Sequence, residues 1–271
     1  MPTPANDLWP QAQALRFRQR LEGGETVLGC FLNFGSAQTT ELMAAAGYEW
    51  ACIDLEHGAG DEQMALSQMQ ALATRQCITI VRVESTARQR VHRILDCGAH
   101  GIMVPRVDTV EDARAAVAAM RYPPDGVRGV AFSNRACGYG SNSRPYMEGS
   151  KALLTIVQVE SPTAVANAEA IAAVEGIDVL FIGPADLSHS MGMLGNFDHP
   201  DFLAAIRRTA EAALSRGKHC GILLPSLKEF RKFFDLGYRF IASGSDAMLL
   251  NSAATAHVQQ LHNELQAARG N

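Results

Sequence analysis

The sequence predicts an α/β protein built as a single (β/α)8 TIM barrel. Eight apolar runs of strand length recur along its 271 residues, and stretches of helical period that close near glycine fill the gaps between them. The runs are apolar on both faces rather than alternating, as parallel strands covered by helices must be. A doubly wound open sheet is the rival fold, but no G-x-G-x-x-G follows the first strand.

Taken in order, TVLGCFLN (26–33) precedes the helical stretch QTTELMAAAG, and WACIDLE (50–56) leads into DEQMALSQMQALATR. CITIVRV (77–83) is followed by TARQRVHRILDCG, and GIMVPRV (101–107) by TVEDARAAVAAMR. Next comes RYPPDGVRGVAFSNRACGYGSNSRPY, too long for an ordinary connection and therefore either a functional loop or a surface flap. LLTIVQVE (153–160) then pairs with SPTAVANAEAIAAV, DVLFIGP (178–184) with HPDFLAAIRRTAEAALSRG, and HCGILLP (219–225) with SLKEFRKFFDLG. The eighth run, RFIASGSD (239–246), opens the tail DAMLLNSAATAHVQQLHNELQAARGN. That tail is expected to be a C-terminal helix packing on a neighbouring subunit; the plain alternative is an eighth barrel helix. No composition break divides the chain, so one domain over 1–271 is expected, with its core at about 26–250.

The net charge of −4, with no run of Lys or Arg, argues against nucleic acid and anionic membrane surfaces as partners and favours a small molecule. No apolar stretch approaches the ~20 residues of a membrane span. The opening residues lack the basic and apolar regions of a secretory signal, so a cytoplasmic location is expected. Cys30, Cys52, Cys77, Cys97, Cys137 and Cys220 are scattered without a C-x-x-C pair. They are expected to be reduced core residues rather than disulfides or a zinc site.

Barrel chemistry sits at the C-terminal ends of strands. Polar residues there are Asp54, Glu56 and His57 after the second strand, Arg82 and Glu84 after the third, and Arg106 and Asp108 after the fourth. Gln158 and Glu160 close the fifth, and Asp186 follows the Gly-Pro-Ala turn of the sixth. Glu160 and Asp186 end neighbouring strands, a hard-oxygen pair suited to Mg²⁺ or Mn²⁺ with room for a chelating substrate. The plain alternative is that each caps the helix it precedes. Asp54 and His57 could form a carboxylate–imidazole pair for proton transfer, or His57 could be structural. Arg82 could bind a carboxylate or developing oxyanion, or pair with Asp54, Glu56 or Glu84. The chain has four lysines, Lys151, Lys218, Lys228 and Lys232, none at the C-terminal end of a strand. A Schiff-base mechanism therefore has no candidate amine.

With GYEWACIDLEHG, LDCGAHGIMVPRV, RYPPDGVRGV, VQVES and FIGPADLSHSMGMLGN in order, the chain resembles the HpcH/HpaI family of metal-dependent pyruvate aldolases from about Gly29 to Leu250. The resemblance implies retro-aldol cleavage of a 4-hydroxy-2-oxo acid to pyruvate and an aldehyde through a metal-stabilised enolate. It assigns the divalent ion, Mg²⁺ or Mn²⁺ with Co²⁺ as a third option, to Glu160 and Asp186. Gln158 lies beside it at the pyruvate site, Asp54 and His57 form the acid/base dyad, and Arg82 steadies the enolate oxygen. The N–H groups at Ala185 and Asp186 hold the pyruvate carboxylate, and the base is left open between His57 and a water on the metal. Phe31, where many members carry Trp, and Leu223 would line the aldehyde side. Phe197 stands where Pro is frequent, and Arg106 and Asp108 stand where Met and Asn are common. Arg106 would bind an acidic aldehyde or form a salt bridge with Asp108 or Glu111. A closed homo-oligomer, a hexamer by resemblance, is also implied. Related enolate chemistry on acyl-CoA or citrate-like acids, and a non-catalytic oxo-acid-binding barrel, are the alternatives.

Overall fold

The computed structural model describes residues 8–269. Eight parallel strands close into a barrel in sequential order. They are β1 (Val27–Leu32), β2 (Trp50–Asp54), β3 (Ile78–Arg82), β4 (Gly101–Val104), β5 (Leu154–Val159), β6 (Val179–Ile182), β7 (His219–Leu223) and β8 (Phe240–Ser245). β2 to β6 are buried along their whole lengths, which is why they read as unbroken apolar runs.

Helices α2 (Ala37–Ala45), α3 (Glu62–Ala73), α4 (Arg88–Asp96) and α5 (Val110–Met120) follow the first four strands. Their starts are set by side chains: Ser36, Asp61 and Thr109 cap α2, α3 and α5, the last in a reciprocal box with Asp112. The long connection after α5 carries the short helix α6 (Ser143–Gly149) and is anchored rather than loose. The fully buried Arg128 side chain bonds Asp96 at 2.8 Å and the Tyr146 hydroxyl at 3.0 Å. Beyond β5 come α7 (Pro162–Ala172), α8 (Pro184–Ser190), α9 (Pro200–Ser215), α10 (Phe230–Asp235) and α11 (Asp246–Arg269).

The longest element without a counterpart in the sequence reading is the helix α1 (Pro10–Glu22), which closes the N-terminal end of the barrel. Its buried face includes Gln11 and Gln13 beside Ala14, Phe17 and Leu21, so no clean apolar stripe marks it. The polar groups are paired. Gln13 Oε1 lies 2.8 Å from His100 Nε2, and His100 Nδ1 accepts the Thr79 N–H at 2.9 Å. Burial drives the His100 pKa down to about 3, so the ring is neutral, with its proton on Nε2 for Gln13. Arg18 grips Asp178 through Nη1 at 2.6 Å and Nη2 at 3.0 Å.

Aromatic rings run from this floor upward. Phe17 meets Phe240 edge-on, Phe240 meets Phe181, and Phe181 meets Phe31, each with centroids 6.2 Å apart. Trp50 stacks on Phe240 at 3.9 Å and fills the space left by Gly29, where a Cβ would come within 2.2 Å of the indole. Trp50→Ala should therefore destabilise the barrel by ~3–5 kcal/mol, read as a lower denaturant midpoint at unchanged slope.

Candidate active site

The C-terminal mouth has two walls of different chemistry. On the first, Asp54 at the end of β2 is 1% exposed and accepts from several donors. Arg82 gives Nε at 2.9 Å and Nη2 at 2.8 Å, Asn33 gives Nδ2 at 2.8 Å, and the main-chain N–H groups of Glu56 and His57 approach to 3.1 and 3.2 Å. Arg82 Nη1 also lies 3.1 Å from Glu56 Oε2. Burial opposes the guanidinium charge, but the hydrogen bonds and charge of Asp54 outweigh it and hold the Arg82 pKa above its usual value. Each nitrogen of Arg82 gives one N–H to these acids, which leaves the second hydrogens of Nη1 and Nη2 for a ligand. Its guanidinium carbon lies 5.1 Å from the centre of the Phe31 ring.

On the second wall, Glu160 follows β5 and Asp186 lies in the first turn of α8, after the neighbouring β6. Glu160 is buried, accepts Gln158 Nε2 at 2.7 Å and the Arg106 N–H at 3.2 Å, and forms no ion pair among the described residues. Burial and then the nearby Asp186 charge push its pKa up to about 7. Gly183 makes room for it, since a Cβ there would stand 2.3 Å from Glu160 Oε1. Neither carboxylate caps a helix: Ser161 caps α7, and α8 begins at Gly183 with no side-chain cap. Asp186 is exposed and accepts no hydrogen bond from the described residues.

Among the described residues no cluster of three or more His, Cys, Asp or Glu is placed to hold a metal ion. Two carboxylates with an open side nevertheless fit Mg²⁺ or Mn²⁺, which keep waters and accept a chelating substrate. The buried Gln158 Oε1 beside Glu160 has no hydrogen-bond partner, which fits a further oxygen donor on this wall for such an ion.

Two cavities open at the mouth. One, of about 300 Å³, is lined by Phe31, Arg82, Ala185, Phe197, Leu223 and Met248 among others. The other, of about 250 Å³, is lined by Arg106, Asp108, Glu160, Asp186, His189 and neighbouring serines. The expected site residues Phe31, Arg82, Ala185 and Leu223 thus share one cavity, and Glu160 and Asp186 the other. No lysine lines either.

One expected contact is corrected. Asp54 holds His57 through its main-chain N–H, while the exposed imidazole has Nε2 nearest Glu56 Oε2, at 3.8 Å. The reason is competition, because the donors of Arg82 and Asn33 already occupy the Asp54 oxygens. Asn33 carries a structural role that the sequence reading overlooked, although it is a polar residue just past the end of β1 and so met the strand-end criterion.

The fold and mouth define a (β/α)8 enzyme. A profile of the HpcH/HpaI aldolase/citrate lyase family matches residues 27–253. A hydroxypyruvate/pyruvate aldolase of Delftia acidovorans is 41% identical over 249 residues, covering 92% of this chain and 93% of its own. A 5-keto-4-deoxy-D-glucarate aldolase of Salmonella arizonae is 38% identical over 231 residues, covering 85% and 90%. The crystal structure of an HpcH/HpaI aldolase/citrate lyase family protein from Burkholderia cenocepacia superposes with a TM-score of 0.86 at 38% identity, covering 91% of this chain and 99% of that one. The chain belongs to the HpcH/HpaI aldolase/citrate lyase family and is an aldolase, a carbon–carbon lyase.

The Glu160 carboxyl has a measurable consequence in metal-free protein. Its pKa of about 7 lies above the ordinary carboxyl value, so the folded state holds a proton that the unfolded chain releases. The resulting stabilisation, of order 3 kcal/mol, is complete below pH ~4.3 and is lost as pH rises through the folded value. Glu160→Gln should flatten this slope in urea unfolding with chelator present; a slope equal to wild type would put the proton on another group.

Proposed function

We propose that this chain is a divalent-metal-dependent pyruvate aldolase that cleaves a 4-hydroxy-2-oxo acid reversibly to pyruvate and an aldehyde. The observation that carries the reading is the pair Glu160 and Asp186, uncapped and without cationic partners, facing a mouth that contains Arg82 and no lysine. Mg²⁺ or Mn²⁺, or Co²⁺, held by these carboxylates would supply positive charge for the enolate that forms when the C3–C4 bond breaks.

The protein's own groups divide the remaining work. The N–H groups of Ala185 and Asp186, in the first turn of α8 and without partners inside that helix, accept the pyruvate carboxylate. Gln158 borders the 2-oxo group. Arg82, fixed by Asp54 and Glu56, directs its remaining N–H groups at the enolate oxygen and the incoming carbonyl. His57, at the exposed rim, takes the 4-hydroxyl proton, with Asp54 positioning its loop through the main chain. Phe31 and Leu223 wall the aldehyde side. The six free thiols suit a reducing cytoplasm.

A homo-oligomer, a hexamer by resemblance, is part of the same proposal. Beyond Asp246, α11 buries none of its residues, and Leu250, Val258, Leu261 and Leu265 recur on it at helical spacing while remaining exposed. Such a stripe on a 24-residue helix calls for a neighbouring subunit.

Two measurements test these readings. Chelator should abolish pyruvate release, and added Mg²⁺, Mn²⁺ or Co²⁺ should restore it; activity that survives exhaustive chelation ends the metal reading. Arg82→Lys, which keeps a cation beside the buried Asp54 but loses the planar fork, should lower kcat ~10- to 100-fold with the fold retained by circular dichroism, and a loss confined to KM would remove Arg82 from the enolate.

A further inference from the structure

At the closed end of the barrel, away from the mouth, lies a cavity of about 290 Å³ walled by Trp9, Met69, Gly98, His100, Arg135 and Tyr139 among others. Thr79, near the start of β3, borders it, whereas Arg82 ends the same strand at the mouth. Arg135, on the long connection after α5, is the one Arg or Lys in its lining, and no acid lines it.

The protein gives this guanidinium no counterion. Its Nη1 donates to the Cys97 carbonyl at 2.7 Å and lies against Gly98, where a Cβ would stand 2.7 Å away. Its Nε and Nη2 have no acceptor among the described residues. Asp96, beside Cys97 in the chain, is taken by Arg128 at 2.8 Å. Burial pulls the Arg135 pKa below its usual value, and no carboxylate opposes it. Gln13 and His100 are satisfied, by each other at 2.8 Å and by main-chain groups of Leu8 and Thr79. The rim is aromatic and strained. Tyr139 stands at φ 53° between Gly138 and Gly140, its ring 71% exposed, in a backbone region that bulky side chains seldom occupy. Trp9 packs on Gly138, where a Cβ would come within 2.4 Å of the indole.

We propose that this cavity is a second binding site, separate from the catalytic mouth, for a small monoanionic carboxylic acid with an aromatic body. Arg135 receives the carboxylate through Nε and Nη2, the same two nitrogens with which Arg82 holds Asp54. Trp9, Tyr139 and Met69 enclose the ring. One cation among apolar walls matches a single negative charge on an apolar body, and a doubly charged phosphate would leave one charge unpaired. The site stands whether or not the aldolase reading holds.

The two tryptophans make the test selective, because Trp9 borders the cavity and Trp50 is buried in the core. With chelator present, 3-phenylpropionate should change the tryptophan emission saturably, with a Kd on the order of 1 mM or tighter. Its neutral match, 3-phenylpropanamide, should bind ~10-fold more weakly, and Arg135→Gln should erase that preference. Trp9→Phe should silence the response. Tyr139→Gly, which the positive φ accommodates, should weaken acid and amide alike, and it keeps the test decisive if Arg135→Gln does not fold. The proposal is overturned by the absence of a saturable response, by equal affinity for acid and amide, or by a signal that persists in Trp9→Phe. An acid preference retained in Arg135→Gln, or binding unchanged in Tyr139→Gly, overturns it equally.

Discussion

The buried Asp54 carboxylate is the constraint on which the mouth depends. An isolated charge at 1% exposure would cost several kcal/mol, so its position is tenable only while its partners stay in place. Those partners come from three successive strands and their loops: Asn33 after β1, the turn at Glu56 and His57 after β2, and Arg82 at the end of β3. Asn33 is itself tied down, because its N–H donates to Asp246 at the start of α11 at 2.8 Å. One carboxylate thus sets the geometry of Arg82, and Asp246 fixes the loop that holds that carboxylate.

The facing wall obeys the opposite logic. Glu160 is nearly as buried, yet its partners are an amide and a main-chain N–H rather than a cation. Burial and the neighbouring Asp186 raise its pKa to about 7, whereas Arg82 gives Asp54 its counterion within the protein. A barrel mouth in which one buried carboxylate has its cation within the protein and the other has none suits a metal ion at the second, as proposed above, and leaves the first to address a substrate. That division is stronger support for the metal at Glu160 and Asp186 than a count of ligands, since two carboxylates alone are a sparse set.

How much of this was legible in the sequence follows from what each feature depends on. The eight strands were legible because burial on both faces writes them as apolar runs, and the strand-end polar residues follow from that register. Helix α1 was not, since Gln11 and Gln13 interrupt its buried face and are paired only through tertiary contacts, Gln13 with His100. The expected link between Asp54 and the His57 ring failed for a similar reason. Spacing brought the residues close, but the donors of Arg82 and Asn33, from other strands, decided what the carboxylate would hold. The helix-cap alternative for Glu160 and Asp186 could be decided only by coordinates, which assign the α7 cap to Ser161.

Phe31 joins the core to the chemistry and limits how the site can vary. Its ring ends the aromatic series that rises from Phe17 through Phe240 and Phe181, and its face lies under the Arg82 guanidinium. It therefore acts both as a wall of the cavity that contains Arg82 and as a platform for that guanidinium. A change at Phe31 that reshapes the wall must also disturb Arg82.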